Sequence, residues 1–321
     1  MILNSSKFNS LNKLNYTFRG NFAFTLIELL VVIAIIGILS ALIIVGMSSA
    51  TQKANIAKSQ VFAGSLRNSL MNDLISEWRF DGNANDSWSG GNNGALVGVS
   101  HLPVPKSGSD CVFGGCYLFD GSEDYIEVTG SNVSTSNLAI TGAITLSVWA
   151  KLNDVGTDKA IMGRGKPWAG NTDSGYFLGR YNTDNKMDFY TYSTALGDRL
   201  QSNYIFNNAN WHYVVATWDG TTSTNGKKIY IDGVLDNQKT STISQMGQPN
   251  YTFRVGASGS GNFPLLGLID EVRVFDAAMP TSQIQQDYFA GINKLFAKNK
   301  ITQPDYQQHL ANLSANNFAK E

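Results

Sequence analysis

One carboxylate sits where a hydrocarbon environment would exclude it. Residues 24–47 read Phe-Thr-Leu-Ile-Glu-Leu-Leu-Val-Val-Ile-Ala-Ile-Ile-Gly-Ile-Leu-Ser-Ala-Leu-Ile-Ile-Val-Gly-Met, and Glu28 is the single charged side chain among them. A carboxylate inside an apolar run is costly and is usually retained because it meets a partner. Other carboxylate sets fall short of a recognisable chemistry. Asp81-Gly-Asn83-Ala-Asn85 opens like an EF-hand loop, but Asp86 stands where Gly is needed and Asn92 where a bidentate Glu is needed. Glu123-Asp124-Tyr-Ile-Glu127 is the nearest approach to a hydrolytic pair. Strand alternation sends Asp124 and Glu127 to opposite faces, whereas glycoside hydrolysis needs two carboxylates across one cleft. Cys111 and Cys116, with the dispersed His101, His212 and His309, make no zinc spacing. There is no nucleophile elbow and no phosphate loop, so a non-enzymatic protein is expected.

The residues suited to recognition are aromatic. Trp168, Tyr176, Tyr181, Phe189, Tyr190, Tyr192, Tyr204 and Trp211 cluster among Gly- and Asn-rich loops. Rings of this kind stack on the apolar faces of sugars while amides and carboxylates match hydroxyl pairs. Between Met187 and Tyr192 alternation puts Phe189 opposite Tyr190 and Tyr192, so about half of these rings are expected in a core. Trp149, Trp168, Tyr181, Tyr190 and Tyr192 are the candidate ligand contacts.

The elements that position these residues follow from composition and pattern. The chain has 321 residues, 15% charged, with 31 Gly and 2 Cys. Charge is below and Gly above the usual values of roughly 25% and 7%, a bias toward a turn-rich β protein. A formal net charge of −1 supplies no field that would gather nucleic acid, which is not expected as a partner. The charge is unevenly placed, since residues 1–23 hold Lys7, Lys13 and Arg19 and no acid.

As a helix, the 24 residues after that leader would be about 36 Å long, enough to cross a hydrocarbon core of about 30 Å. The run is longer than the apolar core of a secretory signal, and the basic leader favours a cytoplasmic amino terminus with the remainder outside. Ile56, Phe62, Leu66, Leu70 and Leu74 continue an amphipathic helix to about residue 75. On the outward side disulfides persist, and Cys111 and Cys116 are expected to bridge.

Ala23-Phe24-Thr25-Leu26-Ile27-Glu28-Leu29-Leu30 resembles the prepilin processing motif of type IV pilins and type II secretion pseudopilins. The family usually carries Gly before the cut; here the small Ala23 takes that position and Gly20 lies three residues too early. The resemblance implies cleavage before Phe24 by a prepilin peptidase and N-methylation of the new amine. It also implies packing of the apolar helices with other pilin subunits, Glu28 meeting the amine of a neighbour.

After Ser76 the pattern alternates, with Gly, Asn, Asp and Ser clusters between short strands. In Ala143–Lys151, Ile144, Leu146, Val148 and Ala150 share a core face. Thr145, Ser147, Trp149 and Lys151 share the other, either a groove or a second packed layer. The ordered set Glu77–Gly82, Asp86–Gly90, Tyr117–Gly121, Ile144–Lys151, Trp211–Gly220, Ile229–Gly233 and Gly267–Phe275 resembles the laminin-G-like members of the concanavalin A-like lectin/glucanase superfamily. That resemblance implies a jelly roll with a concave sheet, usually a binding module. It also implies a structural Ca²⁺ where the first strand meets the last, drawing on Asp270 and on Asp81 or Asp86; turn carboxylates bonded to backbone N–H are the equally open alternative. The glucanase members' alternating Glu-x-Asp-x-x-Glu run is missing.

Thr281-Ser-Gln-Ile284 is expected to start a helix with the stripe Ile284, Tyr288, Ile292 and Leu295, and a second near Pro304 carries Tyr306, Leu310 and Leu313. The expected chain is mainly β: an antiparallel jelly-roll β-sandwich on a long N-terminal transmembrane α-helix, with a short helical C-terminal tail. Its parts are a leader (1–23), a membrane and stalk helix (24–75), the sandwich (76–290) and the tail (291–321). The expected role is a pilin-like filament subunit in the bacterial inner membrane before assembly and at the cell surface afterwards, displaying a domain for polysaccharide or glycoprotein. A membrane-tethered carbohydrate-binding module that is not polymerised is the alternative, with a glycan-cleaving enzyme behind both.

Overall fold

The computed structural model describes residues 25–40, 72–88, 91–153, 156, 158–165, 174–181 and 183–318. They belong to two units, divided at Lys58/Ser59. The first contains helix α1, residues 26–40. Thr25 and Glu28 close a capping box at its start: the Thr25 N–H and hydroxyl each donate to Glu28 Oε2 at 2.8 Å, and the Glu28 N–H donates to Thr25 Oγ1 at 3.3 Å. Among the described residues no helix is long and apolar enough to cross a membrane. The expected cleavage pair Ala23 and Phe24, and the stalk to residue 71, lie outside the described residues.

The second unit is a β-sandwich. Its strands are β1 (Leu74–Trp78), β2 (Gly94–Val97), β3 (Val104–Ser107), β4 (Gly115–Asp120), β5 (Tyr125–Val128), β6 (Ile144–Leu152), β7 (Lys159–Gly165), β8 (Ser174–Arg180), β9 (Lys186–Tyr192), β10 (Gly197–Ile205), β11 (Trp211–Trp218), β12 (Lys227–Ile231), β13 (Val234–Lys239), β14 (Phe253–Val255) and β15 (Leu266–Phe275). Helices α2 (Thr281–Ala297) and α3 (Gln303–Phe318) follow. One sheet has the order β13-β12-β11-β6-β15-β4-β3, with β1 also paired to β15, and the other the order β10-β9-β8-β7-β14-β5-β2. Leu74 and Ile75, expected at the end of the stalk helix, open β1 instead; their Leu-Ile-Ser-Glu-Trp run pairs antiparallel with β15.

Side chains from both inner faces fill the space between the sheets, among them Trp78, Phe119, Val148, Phe189, Trp218 and Phe253. Trp78 stacks on Phe253 at 5.2 Å between ring centres. Asp232 (φ 53°) and Gly233 (φ 76°) close the β12–β13 hairpin in the left-handed region, which an Asp-Gly pair favours.

Strand β6 is buried on both faces, which decides the alternative left open by its sequence. The outer face of its sheet is a second packed layer beneath α2 and α3. Trp149, Tyr213, Val215 and Tyr230 meet Ile284, Tyr288, Ile292 and Leu295 there, the expected stripe of α2. α2 begins ten residues before the expected tail boundary at 291 and is part of the domain. Pro280 occupies its N-cap without a side-chain cap bond. Thr302 and Asp305 cap α3 reciprocally, the Thr302 hydroxyl donating to Asp305 Oδ2 at 2.7 Å.

Candidate ligand-binding face

The outer face of the seven-stranded sheet carries a row of side chains set by register. Ala95 faces Glu127, Glu127 faces Arg254, Arg254 faces Gly163, Gly163 faces Phe177, Phe177 faces Tyr190, and Tyr190 faces Arg199. Two residues along β9, Tyr192 and Asp188 flank Tyr190 on the same face. Phe189 points into the core, as alternation requires.

Tyr190 and Tyr192 stack at 5.5 Å with their planes 5° apart, and Phe177 lies 6.4 Å from Tyr190. Phe177 takes its place because Gly179 has no side chain: a Cβ there would lie 2.6 Å from the Phe177 ring. Arg199 lies over both Tyr181 and Tyr190, at 5.9 and 5.7 Å from the ring centres. It is aimed by Asp188, which accepts from Arg199 Nε at 2.6 Å and Nη2 at 3.1 Å and from the Tyr181 N–H at 3.1 Å. Burial pushes the Asp188 carboxyl up to about 6 although Arg199 pulls it down. On the same face Arg254 lies 4.3 Å from the centre of the Tyr125 ring and pairs with Glu127 at 2.6 Å. Stacked rings bordered by charged hydrogen-bonding groups are the residue types that match the apolar faces and hydroxyl pairs of a polyhydroxylated ligand.

Of the expected ligand residues, Tyr181, Tyr190 and Tyr192 are brought together here. Tyr190 and Tyr192 are 7% and 8% exposed, packed with Ala160, Phe177 and Phe263. Trp168 lies outside the described residues. Trp149 is a correction: it is 1% exposed on the other sheet, stacked against Tyr213 at 5.2 Å and Tyr288 at 5.7 Å, and serves the layer beneath α2. Gly291 on α2 lets the helix approach the ring, since a Cβ there would come within 2.0 Å of Trp149. Arg199 and Asp188 were not singled out from sequence; they lie on the strand face of Tyr190, where alternation already places them.

The carboxylates named for calcium are separated by their bonding. Asp86 is consumed by backbone: its Oδ1 accepts from the N–H groups of Glu77 (3.0 Å) and Trp88 (2.9 Å), and its Oδ2 from Asn92 (3.1 Å). Asp270 Oδ2 accepts from the N–H groups of Val112 and Phe113, each at 2.9 Å, while Oδ1 is buried with no hydrogen bond among the described residues. Burial pushes Asp270 up to about 8 against these two bonds. Asp81 lines a cavity of about 580 Å³ together with Arg79, Glu271, Arg273, Lys294 and Lys298. Among the described residues no three His, Cys, Asp or Glu are grouped to hold a metal. The loop beside Asp270 is closed by the Cys111–Cys116 disulfide.

The prokaryotic N-terminal methylation motif matches residues 18–44. No curated protein matches the chain. Among solved structures, domain 4 of AbnA, a GH43 extracellular arabinanase from Geobacillus stearothermophilus in complex with arabinotriose, is similar over 67% of this chain and 98% of that one, at 18% identity and TM-score 0.51. The receptor-binding domain of botulinum neurotoxin mosaic serotype C/D is similar over 68% of this chain and 51% of its own, at 16% identity and TM-score 0.50. The binding domain of botulinum neurotoxin serotype D gives 68%, 52%, 16% and 0.50. The chain thus spans about half of the two toxin domains, and at these identities the likeness is one of fold. The profile described as the concanavalin A-like lectin/glucanases superfamily matches residues 120–285, more than half of the chain, and with the two-sheet architecture it establishes that the chain belongs to that superfamily.

Proposed function

We propose that the protein is a pilin- or pseudopilin-like filament subunit that presents a carbohydrate-binding sandwich at the cell surface. The observation that carries this reading is the pairing, in one chain, of an N-terminal methylation motif and a lectin-fold domain. In it a prepilin peptidase cuts before Phe24, the new amine is methylated, residues 24–47 span the inner membrane, and Glu28 meets the amine of a neighbouring subunit. The capping box of α1 is compatible with that role, because the carboxylate lies at the helix start, near the new terminus. The outer face around Tyr190 is the ligand surface in this proposal, and the arabinotriose complex of the first structural relative supports an oligosaccharide as the ligand class.

The module is non-enzymatic in this reading. Glu127 is paired with Arg254, Asp124 accepts from the Asp120 N–H at 3.1 Å, and Glu123 from the Ser100 N–H at 2.7 Å, so each carboxylate of the nearest candidate set has a bonding role of its own.

Mass spectrometry of the mature protein tests assembly: the proposal expects an N-methylated Phe24 terminus, and an intact leader would instead leave a tethered, unpolymerised module. Glu28→Ala should leave processing intact and abolish incorporation into filaments. For the ligand face, binding to arabinotriose and to a glycan array should fall by roughly 1–3 kcal/mol on Tyr190→Ala, the worth of a stacking ring with its buried area. Absence of binding to every glycan by the wild-type protein would remove the carbohydrate part of the proposal.

A further inference from the structure

We propose that the Lys298 ammonium is the built-in cation of this sandwich, holding the place that the family resemblance assigns to a divalent metal. Three carbonyl oxygens converge on Lys298 Nζ: Gly108 O at 2.9 Å, Cys111 O at 3.0 Å and Phe113 O at 2.5 Å. Burial pulls Lys298 below its usual range, against the opposing charges of Asp270 and Asp81. Backbone carbonyls with nearby carboxylates are the donor set of a hard divalent cation. An ammonium has three N–H donors and no acceptor, one for each carbonyl, so Lys298 saturates the set.

The chain is built to deliver that side chain. α2 ends in a Schellman motif, with Asn299 in the left-handed region (φ 55°), the Lys300 N–H donating to Leu295 O and the Asn299 N–H to Phe296 O, each at 2.9 Å. Lys298 is the C-cap, where a cation also answers the helix dipole. The receiving loop is fixed from the other side. The Cys111–Cys116 bond closes it, and its Val112 and Phe113 amides point at Asp270 Oδ2. A bulge in β15 between Asp270 and Arg273, with Glu271 at φ 51°, re-aims the strand here. The loop therefore turns its amides to a carboxylate and its carbonyls to an ammonium. A metal at this point would have to displace Lys298, so the fold's stability does not depend on calcium.

The test is thermal unfolding of the full chain in detergent, with EGTA or with CaCl₂, for the wild type and Lys298→Met. The wild type is expected to unfold at the same temperature in both. The variant is expected to unfold roughly 4–8 °C lower in EGTA and to recover part of that loss in calcium, whose carbonyl set it has vacated. A wild type destabilised by EGTA overturns the proposal. So does a variant as stable as the wild type, or one whose loss calcium does not reduce. Should the variant fail to fold, amine acetylation of the wild type decides: slower labelling of Lys298 than of the exposed Lys294 and Lys300 supports the assignment, and equal labelling overturns it.

Discussion

Asp198 lies inside the protein at the start of β10 and gathers donors from the opposite sheet. Lys227 Nζ donates to its Oδ2 at 3.1 Å and Lys239 Nζ to its Oδ1 at 2.6 Å; the Ser241 and Thr242 hydroxyls add bonds at 3.1 and 3.0 Å. Burial alone would raise this carboxyl, but the two lysines hold it down at about 2. Since β10 edges one sheet and β13 edges the other with β12 beside it, the cluster places buried charge along one side of the sandwich. Asp198→Asn leaves the fully buried Lys227 ammonium without its carboxylate and is expected to cost about 3–5 kcal/mol in denaturant titrations. The sign of the pH dependence follows from the depressed value. Burial pushes the paired Lys227 down to about 7, so the stabilisation is complete between the ordinary carboxylate range and about 7; it is lost as pH falls through about 2, so the wild type and Asp198→Asn should converge in stability toward that limit.

Helix α2 shows at the scale of an element how side-chain volume decides docking. Gly291 lies flat on the Trp149 ring, and the stack Trp149, Tyr213 and Tyr288 continues beneath it. Gly291→Val is expected to lift the helix, costing about 1–3 kcal/mol by overpacking and shifting tryptophan emission to the red as Trp149 meets water. The stripe that docks this helix was legible in sequence because Ile284, Tyr288, Ile292 and Leu295 keep helical spacing. Its target was not, since the Thr145, Ser147, Trp149, Lys151 face of β6 reads equally as groove or as packed layer until a partner is known. The period-2 pattern likewise gave the strands and put Tyr190 and Tyr192 on a face away from Phe189. The helical spacing, not the period-2 pattern, misplaced the end of the stalk: Leu74 continues the preceding i+4 run, while pairing with β15 draws Leu74–Trp78 into the sheet. The Lys298 contacts were beyond any local pattern, because they join the end of α2 to a loop some 190 residues earlier.

For the whole molecule, the order in which strands enter the sandwich has a mechanical meaning. β1 is the first strand of the sandwich, and four of its five residues pair with β15, so tension applied from the amino-terminal side, as in the proposed filament, would enter the domain there. What resists it is a short set of attachments: Trp78 stacked on Phe253 in the opposite sheet, its indole N–H bonded to Asn92 O at 2.9 Å, and Glu77 gripped by Arg273 at 2.7 Å and Arg79 at 2.7 Å. Trp78→Ala, which empties the largest of these, is expected to cost about 3–5 kcal/mol and to lower the rupture force measured by single-molecule pulling from the amino-terminal side. The load would then travel through β15 to β6 and β4 and reach the proposed ligand face only by way of the core between the sheets. In the proposed filament, a ligand face on the sheet that lacks β1 would be shielded from the first shock of stretching, and the sandwich would act as a damper between tether and grip.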